Sequence, residues 1–395
     1  MNIVVFGLGA SGRSVVRYLQ SRGIQPTLVD DKITEFESLP VLASTLVESA
    51  SQLIVSPGIP LTHPLVLRSQ GVVNDIELAF QEVLNRPKRP KVIGITGSNG
   101  KTTTTMLLTH ILNCSGIRTE AVGNVGEPIL DYIDQDLDCL VVELSSFQLE
   151  VARTPVLDAS IVLNITPNHL DRHSSFEEYN RAKFRIFDLT LNPEQSFYRT
   201  NFQLQGRHVL ELGELPQEIE VPESHDTENF LSAYQLASTL GITFNQAVSA
   251  YSTFVKPPHR IQYITTVLGV RFWDDSKGTT IDATMKAVQS IPDPIVLIAG
   301  GVHKGEPYTA WKSLQGKVKH IVTIGKAASL IRADLEGLIP MTDASTLQDA
   351  TNIAFKLSSQ GYSVLLSPGC ASYDMFHDYK DRGLQFQKLV LNLQA

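Results

Sequence analysis

The sequence predicts an α/β protein of three domains, each built on a mostly parallel sheet, and three observations support this prediction. Apolar runs of strand length alternate with runs of helical periodicity along the whole chain of 395 residues, which is typical of parallel sheets covered by helices on both faces. Glycine-rich turns follow two of the apolar runs, at Gly7–Gly12 and at Gly94–Gly100. Prolines at Pro87–Pro90 and Pro257–Pro258 mark short linkers between three blocks of this pattern.

We place the domains at residues 1–90, 91–258 and 259–395. The first is expected to be Rossmann-like, the central one to resemble a P-loop ATPase domain with a parallel sheet, and the third to be Rossmann-like again. A chain of this length exceeds what one core normally supports and suits two or three domains. Residues 191–225 have weak periodicity and give the least clear prediction.

Composition and charge exclude several classes of protein. A hydrophobic content of 43% with 19% charged residues is typical of a globular chain. The formal net charge of -8 argues against sequence-independent binding of nucleic acid. Cys114, Cys139 and Cys370 lack the spacing of metal ligands, so we expect three buried thiols in a reducing compartment. No apolar run approaches the roughly 20 residues of a membrane helix. We therefore expect a cytoplasmic monomer without membrane insertion.

The first block has the pattern of a nucleotide-binding unit. A strand at Ile3–Phe6 leads into the glycine turn, a helix at Arg13–Ser21 follows, and a strand at Pro26–Val29 ends in two acidic residues. Taken alone, this fingerprint predicts an NAD enzyme. A glycine turn at a helix N-terminus binds any diphosphate, so a nucleotide-diphosphate sugar fits equally well. A turn required only for close packing of helix and strand is the third interpretation.

The central block opens with a phosphate-binding loop. The apolar run Lys91–Ile95 leads into G-x-x-G-x-x-G-K-T-T, and Thr103–Leu112 can continue as a helix. In such loops backbone N–H groups point at phosphate oxygens, a lysine approaches the outer phosphates, and a threonine hydroxyl binds Mg²⁺. The alternative is a glycine-rich turn without a ligand. The predicted ATP-binding residues of the loop are Gly97, Ser98, Asn99, Gly100, Lys101, Thr102 and Thr103.

Three further residues of this block could reach the same edge of the sheet. Glu143 follows the strand Cys139–Val142, where a carboxylate could share Mg²⁺ with the loop threonine; it could instead cap the helix that begins near Ser145. His169 follows the strand Ala159–Leu163, although a lone histidine is more often structural. Lys183 lies on a predicted helix, and periodicity alone predicts a solvated lysine.

The third block repeats the alternation of strands and helices. It is expected to form a further small doubly wound domain. The predicted strands are Val267–Trp273, Ile295–Ile298, His320–Ile324 and Ser363–Leu366, and the predicted helices include Asp282–Ser290 and Thr346–Ser359.

Several unlinked motifs together resemble the Mur ligase family, in the family's order and through all three blocks. The resemblance is strongest to the members that join D-glutamate to UDP-N-acetylmuramoyl-L-alanine. The motifs that carry it are Gly94–Thr103, Glu143–Leu149, Asn168–His173, Tyr179–Lys183, Ser56–Ile59, Gly71–Leu78, Gly123–Gly126, Pro258–Arg260, Asp274–Lys277 and Ser367–Asp374.

The resemblance implies an ATP-dependent ligase that forms an acyl phosphate on the substrate carboxylate, which the amine of the incoming amino acid then attacks. It implies two Mg²⁺ ions. Lys101 and Thr102 would hold the outer phosphates and the first ion together with Glu143. His169 and Lys183 would hold the second ion, and Lys183 could do so only as a carbamate formed with CO₂, because an ammonium repels Mg²⁺.

The resemblance also implies three sets of binding residues. For the UDP-linked substrate they are Ala10, Ser11, Asp30, Asp31, Lys32 and Gly58, with Asn124 at its muramoyl part. For ATP they are, besides the loop, Asn229, Arg260 and Asp275. For D-glutamate and the phosphate beside it they are Lys277, Thr279, Lys304, Ser372 and Tyr379.

The chain departs from the family's pattern in four places. Asp226 replaces the first asparagine of the family's adenine-binding segment, and Tyr379 replaces a phenylalanine. Gly278 and Thr280 replace an alanine and an asparagine. The segment 191–225 is shorter than expected. The competing interpretations are another amino-acid ligase of the superfamily, such as a folylpolyglutamate synthetase, an NAD-dependent oxidoreductase, and a nucleotide-binding regulator without catalysis.

Overall fold

The chain forms two compact units in a computed structural model, and each is described by itself. One unit contains Met1–Ile165 and Glu177–Val255, and the other contains Thr166–Phe176 and Lys256–Ala395. The residues that the structure describes are 2–30, 45–168, 172–198, 210–211 and 225–393.

Sixteen strands are formed by the described residues. They are β1 Ile3–Phe6, β2 Thr27–Val29, β3 Gln52–Val55, β4 Val72–Val73, β5 Lys91–Thr96, β6 Thr119–Gly123, β7 Cys139–Glu143, β8 Ala159–Val162, β9 Ser196–Tyr198, β10 Leu210–Glu211, β11 Gln262–Val267, β12 Val270–Asp274, β13 Ile295–Gly300, β14 Val318–Ile324, β15 Met341–Asp343 and β16 Ser363–Leu366.

The helices cover the sheets and connect parallel strands. They are α1 Ala10–Ser21, α2 Pro64–Leu67, α3 Asp75–Leu84, α4 Lys101–Cys114, α5 Ser146–Leu149, α6 Phe176–Phe184, α7 His225–Ser238, α8 Phe244–Tyr251, α9 Ile281–Ser290, α10 Ala328–Leu335, α11 Leu347–Lys356 and α12 Tyr379–Asn392.

Three sheets confirm the predicted fold class. The first has the order β2-β1-β3-β4, and the second has the order β10-β9-β8-β5-β7-β6; all their strand pairs are parallel. The third has the order β11-β12-β16-β13-β14-β15, in which β11 pairs antiparallel with β12. In the second sheet β5 lies between β8 and β7, so the strand order reverses around β5. Ligands of open α/β sheets bind at the carboxyl ends of strands at such a point.

The hydrophobic pattern of β5 explains its central position. From Val92 onward every residue of the strand is buried, as expected for a parallel strand that is covered on both faces. A Cβ at Gly94 would lie 2.7 Å from Cδ1 of Leu157, so a side chain there would displace that leucine. Leu108 and Ile111 of α4 pack in the same core as β5. The phosphate loop therefore leaves a rigid strand and enters a well-packed helix.

Two sequence predictions are wrong at this level. The segment Val267–Trp273 is not one strand but contains the turn of the β11–β12 hairpin, in which Leu268 has φ 48° and Gly269 has φ 81°; two consecutive positive φ angles form the two-residue turn that matches the twist of a hairpin. Cys114 is exposed at the last residue of α4, whereas Cys139 and Cys370 are buried as predicted.

The remaining boundaries agree with the predicted elements to within a few residues, while short edge strands such as β4, β6 and β15 were not predicted. The extent of each domain stays a prediction. None of the helices in the described ranges is both long and apolar enough to cross a membrane.

Buried polar contacts join the first sheet's region to the second within the first unit. The Glu77 carboxylate, in the first turn of α3, accepts hydrogen bonds from Arg153 N at 2.6 Å and from Thr154 N and Oγ1 at 3.0 and 2.7 Å. Asn74 Nδ2 donates to Gln148 O at 2.9 Å. Because Asn74 and Glu77 are almost fully buried, these bonds are protected from water and fix the position of α3 on the central sheet's region.

Replacement of Glu77 by alanine should destabilise the first unit by about 2–4 kcal/mol, because two backbone N–H groups and a hydroxyl lose a charged acceptor. Urea unfolding followed by far-UV circular dichroism measures this loss. The matched control is Glu48→Ala, since Glu48 makes a surface ion pair with Arg68 at 3.4 Å and its removal should cost less than about 1 kcal/mol. Equal midpoints for the two variants would contradict the role given to Glu77.

Candidate active site

The phosphate loop turns between β5 and α4 through two glycines in conformations that side chains rarely adopt. Gly97 has φ 156° and Gly100 has φ 81°. A Cβ on Gly100 would lie 2.5 Å from Asn229 Oδ1, so this position has no room for a side chain. α4 begins at Lys101 with no side-chain cap, and the N–H groups in the first turn of a helix are suited to bind an anion.

Asn164 holds the loop from the neighbouring strand end. Its Oδ1 accepts from Asn99 N at 2.8 Å, its Nδ2 donates to Asn99 O at 3.1 Å, and its own carbonyl accepts from Ser98 N at 2.8 Å. Sequence analysis assigned no role to this residue. The available signal was its position two residues after β8, at the same sheet edge as the loop.

Lys101 folds back over the loop that precedes it. Its Nζ donates to Gly97 O at 2.7 Å and to Ser98 O at 3.0 Å. Thr102 and Thr103, also predicted to bind ATP, are buried in the first turn of α4. The loop residues predicted from the motif therefore come together around one helix N-terminus.

Glu143 lies at the carboxyl end of β7 beside Asn124. Asn124 Nδ2 donates to Glu143 Oε1 at 2.8 Å, and Asn124 N donates to Glu143 O at 2.9 Å. Oε2 is buried without a hydrogen-bond partner among the described residues. Glu143 does not cap the following helix, because Ser145 and Gln148 form a complete capping box there. The carboxylate is thus left with an oxygen directed at neither helix nor solvent.

Lys183 is buried, and the interpretation of a solvated helix lysine is wrong. The residue is 2% exposed, its Nζ donates to Gly97 O at 2.9 Å, and it lies over the ring of Tyr179 at 4.7 Å. Burial, assisted by the positive charge of Lys101 and opposed by Glu143, lowers the pKa of Lys183 well below its usual value. Because the charges of Lys101 and Glu143 both act on Lys183, the three residues lie in one site.

The side chains at this site supply only some of the oxygen ligands that a divalent cation such as Mg²⁺ requires. No three His, Cys, Asp or Glu side chains in the described ranges are grouped as a metal site. The oxygens present are the Thr102 hydroxyl and the orphaned Glu143 Oε2, which are ligand types that Mg²⁺ accepts. A carbamate on Lys183 would add an anionic oxygen. His169, the remaining predicted ligand, lies outside the described residues.

Asn229, predicted to contact adenine, lies against the phosphate loop. It is 9% exposed, and its Oδ1 accepts from Thr104 Oγ1 at 3.2 Å as well as contacting the position of Gly100. The side chain of Asp226 lies outside the description.

The glycine turn of the first sheet is tightly closed. Ser56 Oγ donates to Gly7 O at 2.6 Å, and a Cβ on Gly12 would lie 1.9 Å from that carbonyl oxygen. Asp30 Oδ2 accepts from Leu8 N at 2.6 Å, which ties the end of β2 to the turn. The turn is therefore required for packing, and it also places the start of α1 at the sheet edge.

The residues predicted for the UDP-linked substrate are only partly brought together. Ala10 is exposed and Ser11 is half-buried at the glycine turn, beside Asp30. Gly58 is exposed with no atom within 4 Å of a Cβ built on it. Asn124 lies at the end of β6, next to Glu143, and Asp31 and Lys32 lie outside the described residues.

The second unit brings the predicted amino-acid site together in two pairs. Lys304 Nζ donates to Thr279 Oγ1 at 3.2 Å. Lys277 Nζ lies 4.1 Å from the centre of the Tyr379 ring, a cation–π contact that phenylalanine would also allow. Ser372 is buried, and its carbonyl accepts from Met375 N and Phe376 N.

Arg382 supports this site and was missed by sequence analysis. It is fully buried, and it donates from Nε to Ser276 Oγ at 2.9 Å and from Nη2 to Ser276 O at 2.8 Å. Ser276 Oγ in turn donates to Tyr379 O at 2.8 Å. Burial lowers the pKa of Arg382 to about 10. An arginine within a helix gives no sequence signal of burial, because most are solvated.

Comparison with known proteins identifies the family. Residues 1–76 match the model of the Mur ligase MurD-like N-terminal domain, and residues 95–203 match the Mur ligase middle domain. The chain is 39% identical to the UDP-N-acetylmuramoylalanine--D-glutamate ligase of Protochlamydia amoebophila, covering 98% of this chain and 97% of that protein. It is 36% identical to the ligase of the same name from Chlamydia pneumoniae, covering 100% and 99%. The chain belongs to the Mur ligase family.

Solved structures of Mur ligases share its fold. The UDP-N-acetylmuramate-alanine ligase MurC from Thermotoga maritima has a TM-score of 0.62 at 16% identity, with 99% of each chain covered. MurF from Acinetobacter baumannii has a TM-score of 0.62 at 19% identity, with 89% and 87% covered. The three-domain architecture of the Mur ligases therefore applies to this chain.

One departure from the Mur ligase pattern has a physical explanation in the second unit. Asp275 Oδ2 accepts from Ser367 Oγ at 2.6 Å. A Cβ on Gly278 would lie 2.2 Å from that Oδ2 and 2.6 Å from that Oγ. Alanine at position 278 would therefore displace the Asp275 carboxyl, and glycine leaves it in place.

Asp275→Asn should remove a pH dependence from the stability of the second unit. Burial raises the pKa of Asp275 to about 7, against opposing effects of Ser367 and Arg260. Between about pH 4 and pH 7 the folded chain keeps this proton while the unfolded chain loses it, so stability falls as pH rises, by on the order of 3 kcal/mol. The stability of the variant relative to the native chain should therefore increase as the pH rises, and this increase should level off above pH 7.

Tryptophan fluorescence during urea unfolding measures this difference, because both tryptophans, Trp273 and Trp311, lie in the second unit. The control is Asp343→Asn in the same unit, where hydrogen bonds from Thr323 and then Arg332 lower the pKa. It should show no such gain. A constant difference between Asp275→Asn and the native chain from pH 4 to pH 8 would refute the assignment.

Proposed function

We propose that this chain is an ATP-dependent ligase that adds D-glutamate to UDP-N-acetylmuramoyl-L-alanine in peptidoglycan precursor synthesis. Two relatives of that name cover nearly the whole chain at 39% and 36% identity. The observation that carries the proposal in the structure is the convergence of Lys101, Glu143 and Lys183 at the phosphate loop. The domain limits 1–90, 91–258 and 259–395, the cytoplasmic location and the monomeric state belong to the same proposal.

The first step joins the substrate carboxylate to a phosphoryl group. A carboxylate oxygen of the alanyl end attacks the γ-phosphorus of ATP, the bond to the β,γ-bridging oxygen breaks, and ADP leaves. The loop N–H groups hold the phosphates, and Lys101 exchanges its contacts with Gly97 O and Ser98 O for the outer phosphates. Asn124 holds Glu143 in place, and we assign it to the muramoyl part of the substrate.

In the second step the neutral amine of D-glutamate attacks the acyl carbon. The tetrahedral intermediate expels inorganic phosphate, and the amine nitrogen loses a proton as the amide forms. In the second unit, Lys304 with Thr279 is suited to the side-chain carboxylate of the amino acid. We assign Lys277 to the phosphate, Ser372 and Tyr379 to the amino acid, and Arg260 and Asp275 to ATP.

Mg²⁺ would be held by Thr102 and Glu143, and a second ion by the modified Lys183 with His169. When bound, the ions neutralise the charge that develops on the transferred phosphoryl oxygens. The orphaned Glu143 Oε2 is the observation that supports this assignment.

Lys183 has the properties that carbamate formation requires. Only a neutral amine attacks CO₂; the new N–C bond forms as the amine releases a proton, which leaves an anionic carbamate. Burial and Lys101 lower the pKa of Lys183, so its amine is available in the neutral form. The carbamate would also place a negative charge near the Lys101 ammonium, which attracts it.

Phosphate release from ATP with Mg²⁺, UDP-N-acetylmuramoyl-L-alanine and a panel of amino acids tests the function. We expect release only when D-glutamate is present, with L-glutamate as the matched control. Release only with a different amino acid would support the proposed ligase reaction and contradict D-glutamate as its substrate. No release with any amino acid, from a folded protein that binds ATP, would contradict catalysis and favour a regulator.

Lys183→Ala and Lys183→Arg should each lower turnover by roughly a thousandfold or more, because neither side chain can form the carbamate ligand. The control is Lys286→Ala, which removes a helix lysine paired with Asp282 on the surface and should leave turnover unchanged. Labelled bicarbonate should give a carbamate signal in the native chain that is absent from both Lys183 variants. Turnover near the native rate in Lys183→Arg would contradict the proposal that Lys183 is carbamylated.

A further inference from the structure

Three segments of the second unit carry residues that we assign to the amino acid, and each of them follows a strand of the third sheet. Thr279 follows β12, Lys304 follows β13, and Ser372 follows β16. The three strands are parallel and adjacent, in the order β12-β16-β13, so their carboxyl ends meet at one edge of the sheet. Binding residues on such loops depend for their position on the scaffold beneath them.

Tyr308 joins two of these segments through its hydroxyl. Its Oη lies 3.2 Å from His303 Nδ1 and 3.0 Å from Cys370 Sγ, and it is hydrogen-bonded to both. A tyrosine hydroxyl can donate one hydrogen bond and accept another, so it can serve both partners at once. His303 directly precedes Lys304, and Cys370 lies two residues before Ser372. One buried hydroxyl therefore connects the two loops that carry these binding residues.

The rest of Tyr308 is held on several sides, which fixes the position of the hydroxyl. The residue is 1% exposed, and its ring packs against those of Trp311 and His303, with centroids 5.1 and 5.5 Å away. Its backbone N–H donates to Asp334 Oδ2 at 2.7 Å. Burial raises the pKa of Cys370 to about 11, so this thiol keeps its proton at neutral pH and acts as a hydrogen-bonding group rather than as a nucleophile.

Trp311 extends the same support to the third segment. The short 3₁₀ helix Tyr308–Leu314 contains both aromatic residues. Trp311 Nε1 donates to Ile281 O at 3.1 Å, two residues after Thr279. A Cβ on Gly369 would lie 2.5 Å from Trp311 Cζ2, so the tryptophan also packs closely on the loop after β16. Side chains of one short helix therefore contact all three segments of the predicted amino-acid site.

The loop that carries Lys304 has a backbone that needs such contacts. Lys304 is followed by Gly305, which has φ 88°, and a glycine gives the chain more conformational freedom than any other residue. Before Lys304 the loop is paired with the other segment, since Val302 N donates to Ala371 O at 2.8 Å and Ala371 N donates to Val302 O at 3.1 Å. The Tyr308 hydroxyl extends this attachment to the residue next to Lys304.

We propose that Tyr308 is a positioning residue for the amino-acid substrate, because its hydroxyl holds the His303 loop against the Cys370 segment and so fixes Lys304 and Ser372 relative to each other. This inference rests on the proposed function, since it takes Lys304 and Ser372 as residues of the D-glutamate site. Tyr308 acts through these two residues and is not itself assigned to the substrate. Binding groups that are fixed before the substrate arrives reduce the entropy lost on binding.

Tyr308→Phe tests the inference, because it removes the hydroxyl and keeps the ring. Loss of the two hydrogen bonds should raise the KM of D-glutamate about tenfold, while kcat and the KM values of ATP and the UDP-linked substrate stay within about twofold. Phosphate release measured with each substrate varied in turn gives these constants. The matched control is Tyr263→Phe in the same unit, where the hydroxyl is bonded to Thr266 Oγ1 at 2.8 Å in an exposed position. Its constants should equal those of the native chain.

A double variant separates positioning from general loosening of the fold. His303→Ala removes one partner of the hydroxyl and should raise the KM of D-glutamate about fivefold. If Tyr308 acts through His303, that contact is already lost in Tyr308→Phe, so the two changes together should have less effect than the product of the single effects.

The inference is overturned if Tyr308→Phe keeps the native KM of D-glutamate, if the KM values of all three substrates rise equally, or if the effects of Tyr308→Phe and His303→Ala multiply. Should Tyr308→Phe not fold, His303→Ala and Cys370→Ala take its place, and each must raise the KM of D-glutamate alone. Absence of turnover with D-glutamate in the native chain would instead refute the proposed function, and this inference with it.

Discussion

The central site depends on one backbone carbonyl, that of Gly97, which accepts hydrogen bonds from both Lys101 and Lys183. Its position follows from a φ angle that a residue with a Cβ rarely adopts. Burial is the main cause that lowers the pKa of Lys183, and the positive charge of Lys101 at the same carbonyl lowers it further. The geometry of a glycine therefore helps to position a lysine 86 residues away in sequence. The reactivity proposed for Lys183 depends on its burial and on the loop that places Lys101 nearby.

Both units contain a buried charged group that is held by backbone partners. Glu77 accepts from two N–H groups of the segment at Arg153, and Arg382 donates to the carbonyl of Ser276. Backbone partners cannot be removed by a side-chain substitution, and they position a segment as well as stabilise a charge. Arg382 in this way holds the peptide between the predicted binding residues Asp275 and Lys277. Asp75 stands apart from this pattern, because its oxygens are not satisfied in this way.

Sequence analysis could predict what local pattern and motif determine, namely the parallel sheets, the phosphate loop and the strand ends that carry Glu143. It could not predict features that depend on packing between distant segments. The turn at Leu268 was read as strand because its apolar side chain continues the pattern of its neighbours, although it is exposed. Asn164 and Arg382 have ordinary local surroundings, and only the fold brings the loop or Ser276 to them. Periodicity placed Lys183 at the surface, and the resemblance to a family alone indicated otherwise.

Departures from a family pattern are therefore informative only together with their neighbours. Glycine at position 278 would weaken a helix, but in this chain it precedes α9 and lies against a carboxyl that Ser367 holds in place. Alanine at this position would have to displace Asp275, which we propose to contact ATP. Glycine leaves the Asp275 carboxyl in its position. Tyr379 likewise keeps the aromatic face that Lys277 requires. At both positions the residue present fits the contacts that its neighbours make in this chain, so these two departures do not disturb the arrangement of the predicted site.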